Sequence, residues 1–151
     1  MRTSLTIPNG VGWSSDYKTQ YFVHSTEKKI FAFDYSPDDG SLSNECVFYQ
    51  YDGEGDPDGF KMDAEGNIWQ AVYGDSKVLK IKNVNGKGVV VGEINYPTKA
   101  ITCPVFVGTE LWVTTAGGDE EGTGKFAGAV FKVDVGVKGL KDFAFKLDKE
   151  V

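Results

Sequence analysis

The sequence predicts an all-β chain of about three consecutive four-stranded propeller blades, an expectation that three observations carry. Short runs rich in Val, Ile, Phe, Tyr and Trp recur at residues 21–25, 30–35, 68–73, 78–81, 87–94, 111–115 and 129–133, as half-buried strands require. Asp38-Asp39-Gly40, Glu65-Gly66-Asn67 and Asn85-Gly86 fall between the runs. Such residues suit tight hairpin turns because they tolerate positive φ. Finally, the chain repeats itself at intervals of about 47 to 49 residues, the size of one four-stranded blade.

Taken in order, the first copy opens at Pro8-Asn9-Gly10 and the second at Pro57-Asp58-Gly59, and a third opening is read at Pro104-Val105-Phe106. Within the copies, the segment from Asp16 to Val23 aligns with that from Asp63 to Gln70. Ile30-Phe31-Ala32-Phe33 falls against Val78-Leu79-Lys80-Ile81. The third copy continues through Leu111-Trp112-Val113-Thr114 and, after a Gly- and acid-rich insertion at 117–124, through Ala129-Val130-Phe131-Lys132-Val133. Equivalent positions of successive blades surround one axis, so Asn9 and Asp58 should face one central cavity.

Composition narrows the function classes. A net charge of −6 without a clustered basic face argues against a nucleic-acid partner. No apolar run approaches the roughly 18 residues of a membrane span, and Met1 to Asn9 lacks the basic start and apolar stretch of a signal peptide. Cys46 and Cys103 match no metal or redox spacing and read as free thiols. The expectation is a cytoplasmic protein with neither a nucleic-acid nor a membrane partner.

An Asn carbonyl and an Asp carboxylate are hard oxygen donors, suited to calcium, magnesium or manganese rather than zinc. The same Pro-Asn-Gly and Pro-Asp-Gly strings equally well form plain turns. The acidic string Asp52-Gly53-Glu54-Gly55-Asp56-Pro57-Asp58 has the alternate spacing of an EF-hand loop but places Pro57 where that loop needs Gly. His24, the single histidine, sits in a strand-like run with no nucleophile elbow nearby and reads as structural. Trp13, Trp69 and Trp112 read as core or blade-interface residues, and Asp119-Glu120-Glu121 as a solvated loop or a lid over the cavity mouth.

At this point the strings become specific. Asn9-Gly10-Val11-Gly12-Trp13-Ser14-Ser15-Asp16 resembles the N-G-[IL]-x-W-S-x-D motif of the SMP-30/gluconolactonase/regucalcin family. The segment from Pro57 to Trp69 is similar to that family's P-D-G-x-x-x-D-x-E-G-x-x-W. Val113-Thr114-Thr115-Ala116 and the segment from Gly128 to Gly139 extend the match. The resemblance implies a six-bladed propeller of which residues 1–151 form the C-terminal half. It further implies one divalent cation, calcium first with zinc, manganese and magnesium as alternatives, held by Asn9 and Asp58. Asp58 would also exchange the proton in hydrolysis of a small-molecule sugar lactone, and the substrate-binding residues are left unassigned.

Two departures qualify that expectation. The family's further glutamate ligand and its substrate-contacting Arg and Asn belong to a half with no counterpart here, and His24 stands where the family's Y-x-x-D-[ST] strand usually has aspartate. The chain is therefore read as an incomplete, gluconolactonase-like carboxylic-ester (lactone) hydrolase. The alternative is a non-catalytic propeller fragment with residual calcium binding or an interaction face. In either case open blade faces would favour self-association.

Overall fold

The protein is described by a computed structural model over residues 3–118 and 124–142. Three antiparallel sheets account for it. The first contains β1 (Pro8–Trp13), β2 (Thr19–His24), β3 (Lys29–Tyr35) and β4 (Leu42–Gln50). The second contains β5 (Asp56–Met62), β6 (Ile68–Tyr73), β7 (Lys77–Val84) and β8 (Lys87–Asn95). The third shows β9 (Ile101–Val107), β10 (Glu110–Thr115) and β11 (Val130–Asp134), three strands among the described residues. Each sheet runs in sequence order from its innermost strand outwards, and β5 lies between β1 and β9. This is the expected blade architecture.

Local chemistry accounts for the turns. Asn85 and Gly86 join β7 to β8 with φ of 53° and 82°, the positive pair of a two-residue hairpin turn whose twist matches its strands. The Glu65-Gly66-Asn67 turn is organised by Asp63, a fully buried carboxylate. It accepts hydrogen bonds from the Glu65 and Asn67 backbone N–H groups at 3.0 and 2.8 Å and from Trp69 Nε1 at 2.9 Å.

Packing is between blades. Tyr21, Val23, Ile30 and Phe48 of the first blade meet Phe60, Met62, Ile68 and Ile81 of the second. On the other side, Trp69, Ala71 and Val78 meet Ile101, Leu111 and Val113 of the third. Residues 68–72 of β6 are consequently all buried, because a middle blade is covered on both faces, whereas β11 alternates exposed and half-buried residues. Trp69 therefore lies in a blade interface, as its sequence context predicts.

The structure moves one boundary. Thr115 pairs with Ile101, and Val113 pairs with Pro104 as Gln70 pairs with Phe60. The third blade thus begins at Ile101, and Pro104 lies inside its first strand rather than opening it. The expected acidic loop at Asp119-Glu120-Glu121 lies outside the described residues. After β11 the chain turns back to the second blade, where Ala64 N–H donates to Lys138 O at 2.8 Å and Leu140 N–H to Met62 O at 2.9 Å.

Candidate functional site

Asn9 and Asp58 occupy the same irregularity in successive blades. In β1 the ladder passes from the Pro8–His24 pair to Val11–Phe22, and in β5 from Pro57–Val72 to Phe60–Gln70. Asn9-Gly10 and Asp58-Gly59 each stand opposite a single residue. This is the geometry of a β-bulge, which releases a side chain from the ladder and re-aims it. The strings that suit turns are bulged strands here.

Close blade packing explains the glycines. A Cβ on Gly10 would lie 2.7 Å from Phe60 Cδ1 and 3.3 Å from Asp58 O, and one on Gly59 would lie 2.8 Å from Cys103 Sγ and 3.0 Å from Thr102 O. Adjacent bulges thereby bring the two predicted side chains together. The half-buried Asn9 amide hydrogen-bonds the half-buried Asp58 carboxylate and donates through Nδ2 to Ser25 Oγ at 3.3 Å. Burial raises the Asp58 pKa above the usual carboxylate range, against the opposing donors from Asn9 and Gly59 N–H.

Three neighbours were not legible as site residues. Ser25, 4% exposed, donates its hydroxyl to Pro57 O at 2.6 Å. Gln70, fully buried, donates through Nε2 to Asp58 O at 3.0 Å and Gly59 O at 3.2 Å, so it clamps the bulge from behind. Cys103, in the corresponding bulge of the third blade, is a free thiol, exposed as a residue, whose pKa is raised by partial desolvation of its sulfur and by the Asp58 charge. Signals for two of these were present: Ser25 closes the Y-x-x-D-[ST] pattern, and Gln70 interrupts an otherwise apolar buried strand.

The remaining candidates separate from the site chemistry. His24 is buried, with Nδ1 2.7 Å from Glu27 Oε1 and Nε2 3.1 Å from Thr26 Oγ1, a locally satisfied structural histidine. Residues 52–55 form a connection and Asp56–Met62 a strand, so the acidic string lacks the helix-flanked form of an EF-hand.

The donors can be weighed against a divalent cation. Asp58 carries a half-buried charge met by neutral N–H donors, an electrostatic arrangement that a cation would relieve, and Asn9 supplies an amide of the right oxygen type. Among the described residues no three His, Cys, Asp or Glu side chains converge on a metal-binding arrangement. Asn9 and Asp58 therefore fit as part of a shell of about six to eight oxygens rather than the whole of it.

Bladed sheets around a shared axis with bulged inner strands define a β-propeller. Residues 1–117 match the SMP-30/Gluconolactonase/LRE-like region, and the chain belongs to that family. It is 35% identical over 150 residues to regucalcin of Homo sapiens, covering 93% of this chain and 50% of the relative. Its identity to pentonolactonase XacC of Haloferax volcanii is 32% over 155 residues, covering 95% and 52%. Among solved structures, a calcium-binding protein, regucalcin, of Agrobacterium tumefaciens superposes with a TM-score of 0.76 at 26% identity, covering 92% of this chain and 48% of that one. The chain spans about half the length of the curated relatives it matches. No helix among the described residues is long and apolar enough to cross a membrane.

Proposed function

We propose that this chain contributes the Asn9 and Asp58 half of a divalent-cation site in a sugar-lactone hydrolase, with residues 1–151 as the C-terminal half of the propeller domain. One observation carries the reading: bulges in two blades bring an amide and a half-buried carboxylate into hydrogen-bonding contact across 49 positions of sequence, from Asn9 to Asp58. The family relationship supplies the reaction class, since relatives include a pentonolactonase.

In this reading Asn9 and Asp58 hold the cation, calcium first, and a bound cation would polarise the lactone carbonyl and stabilise the developing oxyanion. Asp58 takes a proton from water as the water oxygen bonds to the carbonyl carbon. The ring C–O bond then breaks, and Asp58 returns the proton to the departing ring oxygen, giving an open hydroxy acid.

A second reading, a non-catalytic fragment with residual cation binding, is favoured by the small donor set among the described residues. Gluconolactone hydrolysis followed by pH indicator separates the two. The expected outcome is negligible turnover by the isolated chain and cation-dependent turnover once the complementary half of a family homologue is added, lost again in Asp58→Ala. Reconstituted turnover that persists in Asp58→Ala would contradict the assignment.

A further inference from the structure

Behind the Asn9–Asp58 pair, a single hydroxyl touches both blades. We infer that Ser25 is a positioning residue for the site, setting together with the acceptor-only Asp58 carboxylate which end of the Asn9 amide is free and holding the main chain that leads into Asp58; the inference rests on the cation-site reading above.

The Ser25 backbone is itself fixed. Its N–H donates to Ile7 O at 3.1 Å, and its carbonyl accepts from Lys28 N–H at 2.8 Å. The second bond closes a 3-10 turn, Ser25–Glu27, that ends at Lys28 in a left-handed conformation with φ of 55°. With 4% exposure Ser25 is buried.

Its partners then follow from proton count. A serine hydroxyl carries one donor and two acceptor lone pairs. The donor goes to Pro57 O at 2.6 Å, a short bond to the carbonyl of the peptide that joins Pro57 to Asp58. Only lone pairs remain for Asn9, so the 3.3 Å contact must be made by Nδ2. Turning the amide over would set Oδ1 against a lone pair with no proton between them. Oδ1, the end able to bind a cation, is thereby kept away from Ser25. The same oxygen therefore orients one ligand through its side chain and the other through its backbone. Gln70 completes the second arrangement from the far side of the bulge.

The test reads the amide directly, in the full chain without metal, by nuclear magnetic resonance of the Asn9 side-chain NH2 group. Beside the Nδ2 proton held by the Asp58 carboxylate, wild type should show a second slowly exchanging Nδ2 proton, protected by Ser25 Oγ. Ser25→Ala should lose that protection, and Ser25→Thr, which restores a hydroxyl, should recover it. In parallel, titration with manganese alone should show Ser25→Ala binding about 10- to 100-fold more weakly than wild type, the usual effect of removing an outer-shell partner, with Ser25→Thr near wild type. A role confined to blade packing would lower thermal stability while leaving the Asn9 amide signature unchanged. A folded Ser25→Ala with wild-type Asn9 protection and manganese affinity would overturn the inference. So would a freely exchanging Asn9 amide in the wild type, which decides the matter even if Ser25→Ala does not fold. Equal manganese binding by wild type and Asp58→Ala would instead overturn the cation-site reading, while the amide spectra still decide the role of Ser25.

Discussion

Replacing Gly59 by alanine tests whether the bulge that presents Asp58 is shaped by contact with the third blade. Gly59 does not adopt positive φ, so alanine meets no backbone penalty there. In open space such a change stabilises by about 0.4 to 1 kcal/mol through the unfolded chain. At Gly59, however, the added Cβ would lie 2.8 Å from Cys103 Sγ, 2.9 Å from Cys103 Cβ and 3.0 Å from the Thr102 carbonyl oxygen. Two of those three atoms are backbone or bound to it, so rotating a side chain cannot make room and β5 must move away from β9. Overpacking of this kind costs about 1 to 3 kcal/mol, or roughly 2 to 12 °C in melting temperature for a chain of this size. Gly92→Ala is the internal control, since its Cβ would meet only Lys80 Cβ at 3.9 Å, an ordinary contact. Thermal unfolding followed by circular dichroism should place Gly92→Ala at or above wild type and Gly59→Ala below it. Gly59→Ala as stable as Gly92→Ala would refute the account of the bulge.

Three other perturbations follow from the same geometry. Asp63→Ala strips the acceptor from Trp69 Nε1 and the Asn67 N–H groups in a fully buried setting; orphaned buried donors should cost about 3 to 5 kcal/mol in urea unfolding, and a loss below about 1 kcal/mol would contradict the role. Because the folded-state pKa of Asp58 is raised, its protonated form is favoured by folding; that contribution is complete below the unfolded value and is lost as pH rises through the folded one. In chelator, Asp58→Asn should therefore melt higher than wild type at neutral pH, with the gap closing below about pH 4, and a gap that widens in acid would reverse the sign. Val105, Val107 and Val130 remain exposed on the third blade; the isolated chain should self-associate in sedimentation, less so in Val107→Lys, and a strictly monomeric wild type would rule this out.

Much of this architecture is legible in residue patterns, because a blade repeats the same physical problem. Asn85-Gly86 forms its turn since few other pairs accept two positive φ values. The pairing of Asn9 with Asp58 was likewise readable from repeat position alone. Pro104 misled for a related reason: proline marks the opening of the first two copies, but in the third it sits opposite Val113 inside β9. Ser25 and Gln70 are harder to see, since their significance depends on carbonyls reached from another strand or blade. Nothing in local propensity distinguishes a serine aimed at Pro57 O from one aimed at solvent.

Asn9 and Asp58 are expected to act on one cation. Isothermal titration of the purified chain with calcium, and separately with manganese, tests it most directly when wild type, Asn9→Ala and Asp58→Ala are compared under one buffer condition. The wild type should show a single weak site that both substitutions abolish while the circular dichroism spectrum is unchanged. Equal binding heats in wild type and Asp58→Ala would contradict it.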